Sequence, residues 1–326
     1  MPLPTFSDST TAEEVSDALA EEVRGRSVLI TGTSMGGIGF ETARVIAKYA
    51  KLVVITGYDA GRLQLSEDAI RREFPSANIR RLVLDLSSLA NVRKAAAEVQ
   101  AYPEPLHVLI NNAAAPIGPF KRTTDNFESQ IGIDHIAPFL FTKLLTPKLL
   151  ASATTQYTPR VVFLSSYGHA FIPAAGFDLS LVTGQPDPTT YNHSNAYCHA
   201  KSAAVLTALE LSKRSSGRIN AYSLCPGLIY TNIHQKEESI EIFQAGGYLD
   251  ADKKPNTQAH VWKTMQQGAA TTVVAAFDPR INDKPGAYLT NCNEANHERA
   301  ASSSDPETAE KLWTLTEEVI GEKFEF

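Results

Sequence analysis

Cysteine, methionine and tryptophan are scarce in this sequence, with three, three and two residues among 326. The cysteines, Cys198, Cys225 and Cys292, are odd in number and widely spaced, with no C-x-x-C pair. That pattern argues against a disulfide scaffold or a zinc site and suits a reducing compartment. No His/Cys/Asp spacing points to any other metal. Apolar runs are short: none approaches the ~20 residues a transmembrane helix needs, so no membrane insertion is expected. Dense Lys/Arg blocks are also missing and the formal charge is −6, which makes nucleic acid and anionic membranes poor partners. The stretch from Met1 to Glu22 is acidic and lacks an apolar core, unlike a signal or basic transit peptide. The expected location is the cytoplasm.

What is present is ordinary globular material, 43% hydrophobic and 20% charged. Strand and helix signals alternate from about residue 27 to about 290 without a linker-like break, so a single domain over 1–326 is expected. Thr10 with Glu13 reads as a capping box opening a helix in an extension over 1–25. Expected strands run from Ser27 to Thr31, Leu52 to Thr56, Ile79 to Leu86, Leu106 to Ile110, Arg160 to Ser165 and Arg218 to Leu224, with a seventh at Tyr288 to Thr290. Helices are expected from Phe40 to Tyr49, Ala60 to Glu73, Leu89 to Gln100, Ala196 to Arg214 and near Val261 to Ala276. A long helical stretch from Thr124 to Leu150 is interrupted by Pro138 and Pro147, and Phe171 to Ser194 is irregular. A last helix from Pro306 to Ile320 lies in a C-terminal segment, 305–326. Continuous apolar strands alternating with helices imply an α/β fold: a doubly wound parallel sheet of about seven strands, with its ligand site at their carboxyl ends.

Strand one runs into Thr31-Gly32-Thr33-Ser34-Met35-Gly36-Gly37-Ile38-Gly39, where a helix opens. Glycines let backbone approach a pyrophosphate, and the new helix aims unpaired N–H groups at it. The alternative is a tight turn that binds nothing; its place after the first strand of an alternating chain favours a dinucleotide. Strand two ends in Thr56-Gly57-Tyr58-Asp59, with Arg62 one turn on. Gly57 stands where a carboxylate would select NAD, and Arg62 supplies charge for an extra phosphate. Asp59 argues the other way. The balance favours NADP(H).

Tyr197 and Lys201 are four apart on an expected helix, hence on one face. An ammonium beside a phenol favours the phenolate, which lets tyrosine exchange a proton with a substrate oxygen. Such a pair is common by chance. Its order along the chain gives it meaning: Leu164-Ser165-Ser166-Tyr167-Gly168 ends strand five, Asn111-Asn112-Ala113-Ala114 ends strand four, and Cys225-Pro226-Gly227 then Thr231 follow strand six.

In this order the residues resemble the short-chain dehydrogenase/reductase family, from about Val23 to the C-terminal helix. Gly37-Ile38-Gly39-Phe40-Glu41-Thr42-Ala43, Gln267-Gly268-Ala269-Ala270 and Gly286-Ala287-Tyr288-Leu289 are similar to retinol-dehydrogenase-like and WW-domain-oxidoreductase-like members. The resemblance implies a Rossmann fold and a role for each matching residue. Ser166 would orient the substrate oxygen, Tyr197 would be the acid/base, and Lys201 would lower its pKa and hold the nicotinamide ribose. Gly32, Ser34, Gly37, Ile38 and Gly39 would hold the diphosphate, with Tyr58 and Arg62 by the adenosine ribose. Asp85 and Leu86 would lie by the adenine, Asn112 and Ala113 along the adenosine wall, and Pro226, Gly227 and Thr231 by the nicotinamide. The family also implies a homodimer or homotetramer paired through the two long helices.

Three departures from the pattern stand out. The glycine turn has one residue more than usual, similar to members of fungal specialised metabolism, and Asn-Asn-Ala-Ala replaces Asn-Asn-Ala-Gly. The family's fourth catalytic residue, an Asn acting through its backbone carbonyl, aligns with Asp134. Pro138 lacks the N–H that would bond that carbonyl, so a kink is expected there. Asp134 is expected to keep the relay, with its carboxylate tuning Lys201. The segment 232–264 is expected to cover the substrate as a mobile lid. Its Ile233, His234, Ile240, Ile242, Phe243, Tyr248 and Trp262, with Tyr167 and His193, suit a hydrophobic small molecule, although a helix packed on the core reads equally well. Alternatives to a carbonyl reductase or alcohol dehydrogenase are an epimerase or cyclase without net redox, and a non-enzymatic dinucleotide-binding protein.

Overall fold

The computed structural model describes residues 3–173, 176–184 and 186–326, so three positions of the irregular segment, 174, 175 and 185, lie outside the described residues. Helices α1 (Ala12–Ala18) and α2 (Ala20–Val23) precede β1 (Ser27–Ile30). The capping box sits one residue later than expected. Thr11 and Glu14 exchange the bonds, while Thr10 is occupied in the turn before, accepting the Ser7 N–H. Then follow α3 (Ile38–Ala47), β2 (Leu52–Gly57), α4 (Ala60–Glu73), β3 (Ile79–Val83), α5 (Leu89–Gln100) and β4 (Val108–Asn111). A short turn, α6 (Ser129–Ile131), leads through a π-turn, Gly132–Ile136, into α7 (Ala137–Leu150). Beyond it lie β5 (Arg160–Leu164), α8 (Ser180–Thr183), α9 (His193–Ser215), β6 (Asn220–Cys225), α10 (Glu237–Ala245), α11 (Met265–Phe277), β7 (Tyr288–Thr290), β8 (Asn293–Glu294) and α12 (Pro306–Ile320).

The strands form one sheet in the order β3-β2-β1-β4-β5-β6-β7-β8, parallel except for β8. The eighth strand was not expected. Asn291 and Cys292 both take left-handed φ, 51° and 63°, and so fold a two-residue hairpin of the kind usually written Asn-Gly. Every residue of β1, β4, β5 and β6 is buried, because α5, α7 and α9 cover one face and α1, α3, α4 and α11 the other. The order reverses between β1 and β4, which opens a crevice above the strands' carboxyl ends.

The long helical stretch begins at Ser129 rather than Thr124. Asn126 turns left-handed, and both Glu128 oxygens cap the helix at Gln130 and Ile131. Pro147 lies inside α7 without breaking it, whereas Pro138 follows directly on the π-turn, which is the form the expected kink takes. Segment 232–264 is not simply a loop: it holds a 3-10 turn at Asn232–Gln235 and then α10.

The faces expected to pair subunits are covered from within the chain. Between Ala196 and Ser215 of α9 only Tyr197, Leu209, Lys213 and Arg214 escape burial, because α12 lies along that helix. Trp313 meets the Phe139 ring of α7 at 4.7 Å, Phe324 stacks on Trp313, and Thr316 bonds His135 at 2.8 Å. Among the described residues no helix is long and apolar enough to cross a membrane.

Candidate active site

The glycine turn is built by close approach. Gly32 takes φ +72°, and a Cβ there would fall 2.8 Å from the Ala113 Cα. A Cβ on Gly39 would lie 2.4 Å from both the Asn112 Nδ2 and the Gly32 carbonyl oxygen. Gly39 therefore packs behind the turn and does not face the crevice, a correction to its expected contact with the dinucleotide. Asn112 donates from Nδ2 to the carbonyls of Thr31 and Gly32, bolting the end of β4 to the turn. No side chain caps α3 at Gly37, so its first N–H groups stay open to an anion.

One cavity of about 1300 Å³ runs from this turn across the carboxyl ends of the strands. Gly32, Ser34, Gly37, Ile38, Tyr58, Arg62, Asp85, Leu86, Asn112 and Ala113 line one end. Ser166, Tyr167, His193, Tyr197, Lys201, Pro226, Gly227, Thr231, Ile233, Phe243 and Tyr248 line the rest. Of the candidate catalytic and cofactor-binding residues, Gly39 and Asp134 stand outside its wall. Residues not singled out in the sequence also line it, among them Ile117, Ile133, Phe171 and Cys198. No periodic or motif signal marks the first three. Cys198 follows Tyr197 directly on α9 and also reaches the wall. Ile240 and Trp262 do not reach the cavity; Trp262 instead packs edge-on against His234.

The adenosine end carries one arginine, Arg62, and one carboxylate, Asp85, whose Oδ1 accepts the Ser87 N–H and hydroxyl. Asp59 caps α4 by accepting the Arg62 N–H at 2.8 Å and does not line the cavity, whereas Arg62 does and has no carboxylate partner among the described residues. A Cβ at Gly57 would meet only Leu63, at 3.5 Å, so close packing at that atom does not demand glycine. The cradle of Gly32, Ser34, Gly37 and Ile38 with open helix N–H groups thus fits a dinucleotide.

At the other end, Ser165 Oγ donates to the Lys201 carbonyl at 2.7 Å and pins α9 to β5. Ser166 accepts the Gly168 N–H, and Gly168 leaves room for the Tyr197 ring: a Cβ there would lie 2.9 Å from it. The Lys201 Nζ is 5.5 Å from the Tyr197 ring centroid. Behind it, Asp134 Oδ2 takes the ammonium at 2.7 Å while Oδ1 accepts the Ala115 N–H at 2.7 Å. Asp134 holds Lys201 charged against its burial. The phenol departs from expectation. Burial pushes Tyr197 up, and the pull of Lys201 and of the Ser166 hydroxyl does not offset it. The sequence shows the ammonium but not how far the surrounding protein encloses the ring.

A family model described as short chain dehydrogenase matches residues 26–177. Over its length the chain is 31% identical to short-chain dehydrogenase TIC 32 A, chloroplastic, of Brassica napus, covering 97% of this chain and 94% of that protein. The chain belongs to the short-chain dehydrogenase/reductase family. The WW domain-containing oxidoreductase of Danio rerio is 34% identical, covering 93% of this chain and 70% of that protein. Mouse polyprenol dehydrogenase is 33% identical, covering 89% and 82%. Both agree with the retinol-dehydrogenase-like branch. An NADPH-bound carbonyl reductase from chicken fatty liver shares the fold, with a TM-score of 0.57 at 22% identity over 82% of this chain and 96% of that one. As a member of this family the protein is an NAD(P)-dependent oxidoreductase. The π-turn carries Asp134, the residue expected to stand where the family has its Asn.

Proposed function

We propose that the protein transfers hydride between NADP(H) and the carbonyl or alcohol carbon of a lipophilic small molecule. The observation that carries this reading is the convergence of Ser166, Tyr197 and Lys201 on the cavity that begins at the glycine turn. A dinucleotide held there supplies or accepts the hydride. Ser166 orients the substrate oxygen, Tyr197 exchanges a proton with it, and Lys201, with N–H groups beyond the one given to Asp134, holds the nicotinamide ribose. Pro226, Gly227 and Thr231 close the nicotinamide side, and Asn112, Ala113, Asp85 and Leu86 the adenosine side. Arg62, beside Tyr58, favours the phosphorylated ribose.

The substrate end supports a lipophilic ligand. Ile117, Ile133, Phe171, Ile233, Ile242 and Phe243 line it, and cavities of this kind hold apolar ligands with few polar anchors. His234 stacks on Phe243 at 4.3 Å and ties Thr231 to α10, so the lid's inner wall is a packed aromatic cluster rather than a loose loop. Three buried free thiols fit a reducing compartment, and we place the reaction in the cytoplasm.

The test is turnover with a panel of apolar ketones and aldehydes, followed by nicotinamide absorbance, in wild type and Tyr197→Phe. Wild type should oxidise NADPH, and the variant should lose about 10²–10⁴-fold in kcat while keeping cofactor affinity. Undiminished turnover in Tyr197→Phe defeats the assignment. Product formed without net cofactor oxidation would indicate an epimerase or cyclase, and binding alone a sensor.

A further inference from the structure

We propose that Asp134 sets this site to reduce carbonyls rather than oxidise alcohols near neutral pH, by pairing with Lys201 and so keeping the Tyr197 hydroxyl protonated. The inference rests on the acid/base role given to Tyr197 above.

The argument is a count of buried charge. Lys201 and Asp134 side chains are 7% and 1% exposed, and their ion pair closes at 2.7 Å. The carboxylate cannot swing away, since Oδ1 is held by the Ala115 backbone and Oδ2 by the ammonium. A lone ammonium beside a phenol makes phenolate formation favourable, because the product is a neutral pair. Here the ammonium is already neutralised: burial pushes the Asp134 carboxyl up, but the ammonium at 2.7 Å and the Ala115 N–H at 2.7 Å both favour its charged form. Ionising Tyr197 would add a net negative charge beside an ion pair that is itself buried. Lys201 and His193 share its helix, Ser166 follows β5, Cys225 ends β6, and Asp134 stands behind Lys201. Burial raises the Cys225 thiol, so it adds no charge. Asp134 is the one anion in the set, and the asparagine usual in the family would supply an acceptor without that charge.

Direction follows from protonation. In reduction a hydride carries two electrons from the reduced nicotinamide to the carbonyl carbon and the C=O π bond breaks. The proton passes from Tyr197 Oη to the carbonyl oxygen, and the phenolate regains a proton from solvent through the open cavity. Oxidation needs the phenolate first, which the Asp134 charge disfavours. Asp134 touches neither substrate nor cofactor and is a positioning residue.

The experiment measures pH profiles of kcat in both directions for wild type and Asp134→Asn, with Tyr197→Phe as control. In Asp134→Asn the Lys201–Tyr197 couple should lose its first proton earlier. The rising limb of alcohol oxidation and the falling limb of reduction should both move down by about 1–2 pH units. Limbs that do not move overturn the proposal. If Tyr197→Phe itself turns over normally, the acid/base assignment has failed instead, and the two failures are told apart. A second readout needs neither turnover nor a folded Asp134→Asn. The tyrosinate absorption of wild type minus Tyr197→Phe, with oxidised cofactor bound, should show the phenol still protonated at about pH 8, well below the free tyrosine value near 10. A phenolate already formed there overturns the proposal.

Discussion

At the end of β2 the choice of cofactor comes down to three adjacent positions with different fates. Gly57 lines the cavity but adds no charge, Asp59 turns its carboxylate to cap α4, and Arg62 is the one of the three that brings a charge to the cavity wall. An arginine on a phosphate makes charge-assisted bonds worth about 1.5–3 kcal/mol, or roughly 10–100-fold in affinity. Arg62→Ala should therefore weaken NADPH binding by about that factor while leaving NADH nearly unchanged, read as the ratio of the two dissociation constants. An unaltered ratio would remove the basis for the NADP preference. The same residue scale shows a limit of sequence reading. Asp59 sits beside Arg62 in the sequence and looks like a competitor for the ribose, and only the backbone direction at the start of α4 shows its carboxylate turned to the Arg62 N–H.

Among the elements, α9 carries the most consequence. It brings Tyr197 and Lys201 to the cavity, Ser165 pins it to β5, and α12 covers its outer side. Among the described residues, that side is covered by Trp313 and its neighbours, which leaves α7 and α9 no long apolar face for a second copy, and we expect a monomer. Sedimentation at micromolar concentration should give the mass of one chain. A dimer would show that a different surface pairs. Much of this architecture was legible in the sequence. The bounds of α4, α5, β7 and α12 are those expected, because proline, capping serine or aspartate and clear apolar periodicity mark them. The turn of one residue at Thr11, the start of α9 at His193 and the Asn291–Cys292 hairpin were not, since each depends on which of several polar neighbours wins a backbone bond. Of the site, the glycine turn, Ser166, Tyr197 and Lys201 could be read from motif order. The Asp134 carboxylate could be suspected, but its 2.7 Å contact depends on the π-turn, which has no sequence signature beyond Pro138. Ile117, Ile133 and Phe171 reach the cavity only through tertiary packing.

For the molecule as a whole, buried histidines couple folding to protons, His169 among them, which burial also lowers. Burial lowers His107 and His234 to about 4 and His135 to about 3. His107 accepts the Ser27 N–H and His135 bonds Thr316, so each is held neutral in the fold. Their folded values lie below the unfolded value near 6.5, so unfolding takes up protons between those limits. Stability from these groups is present above about pH 6.5 and is lost as pH falls toward 4. Urea midpoints should drop steadily from about pH 7 to about pH 5, with some two to three protons bound per molecule unfolded near the lower end. A midpoint that stays flat over this range would contradict the buried neutral state. We also propose that residues 1–326 behave as one domain, so each melt should be a single transition.

The clasp made by Trp313, Phe324 and Thr316 on α7, α9 and the π-turn has a consequence for biosynthesis. The ribosome releases chains from the N-terminus onward, so the strands and the glycine turn emerge long before the aromatic stack that steadies the reactive helices. A nascent chain stalled before residue 306 would expose the uncovered sides of α7 and α9 to chaperones, and the proton-handling side chains would settle only when that last helix docks.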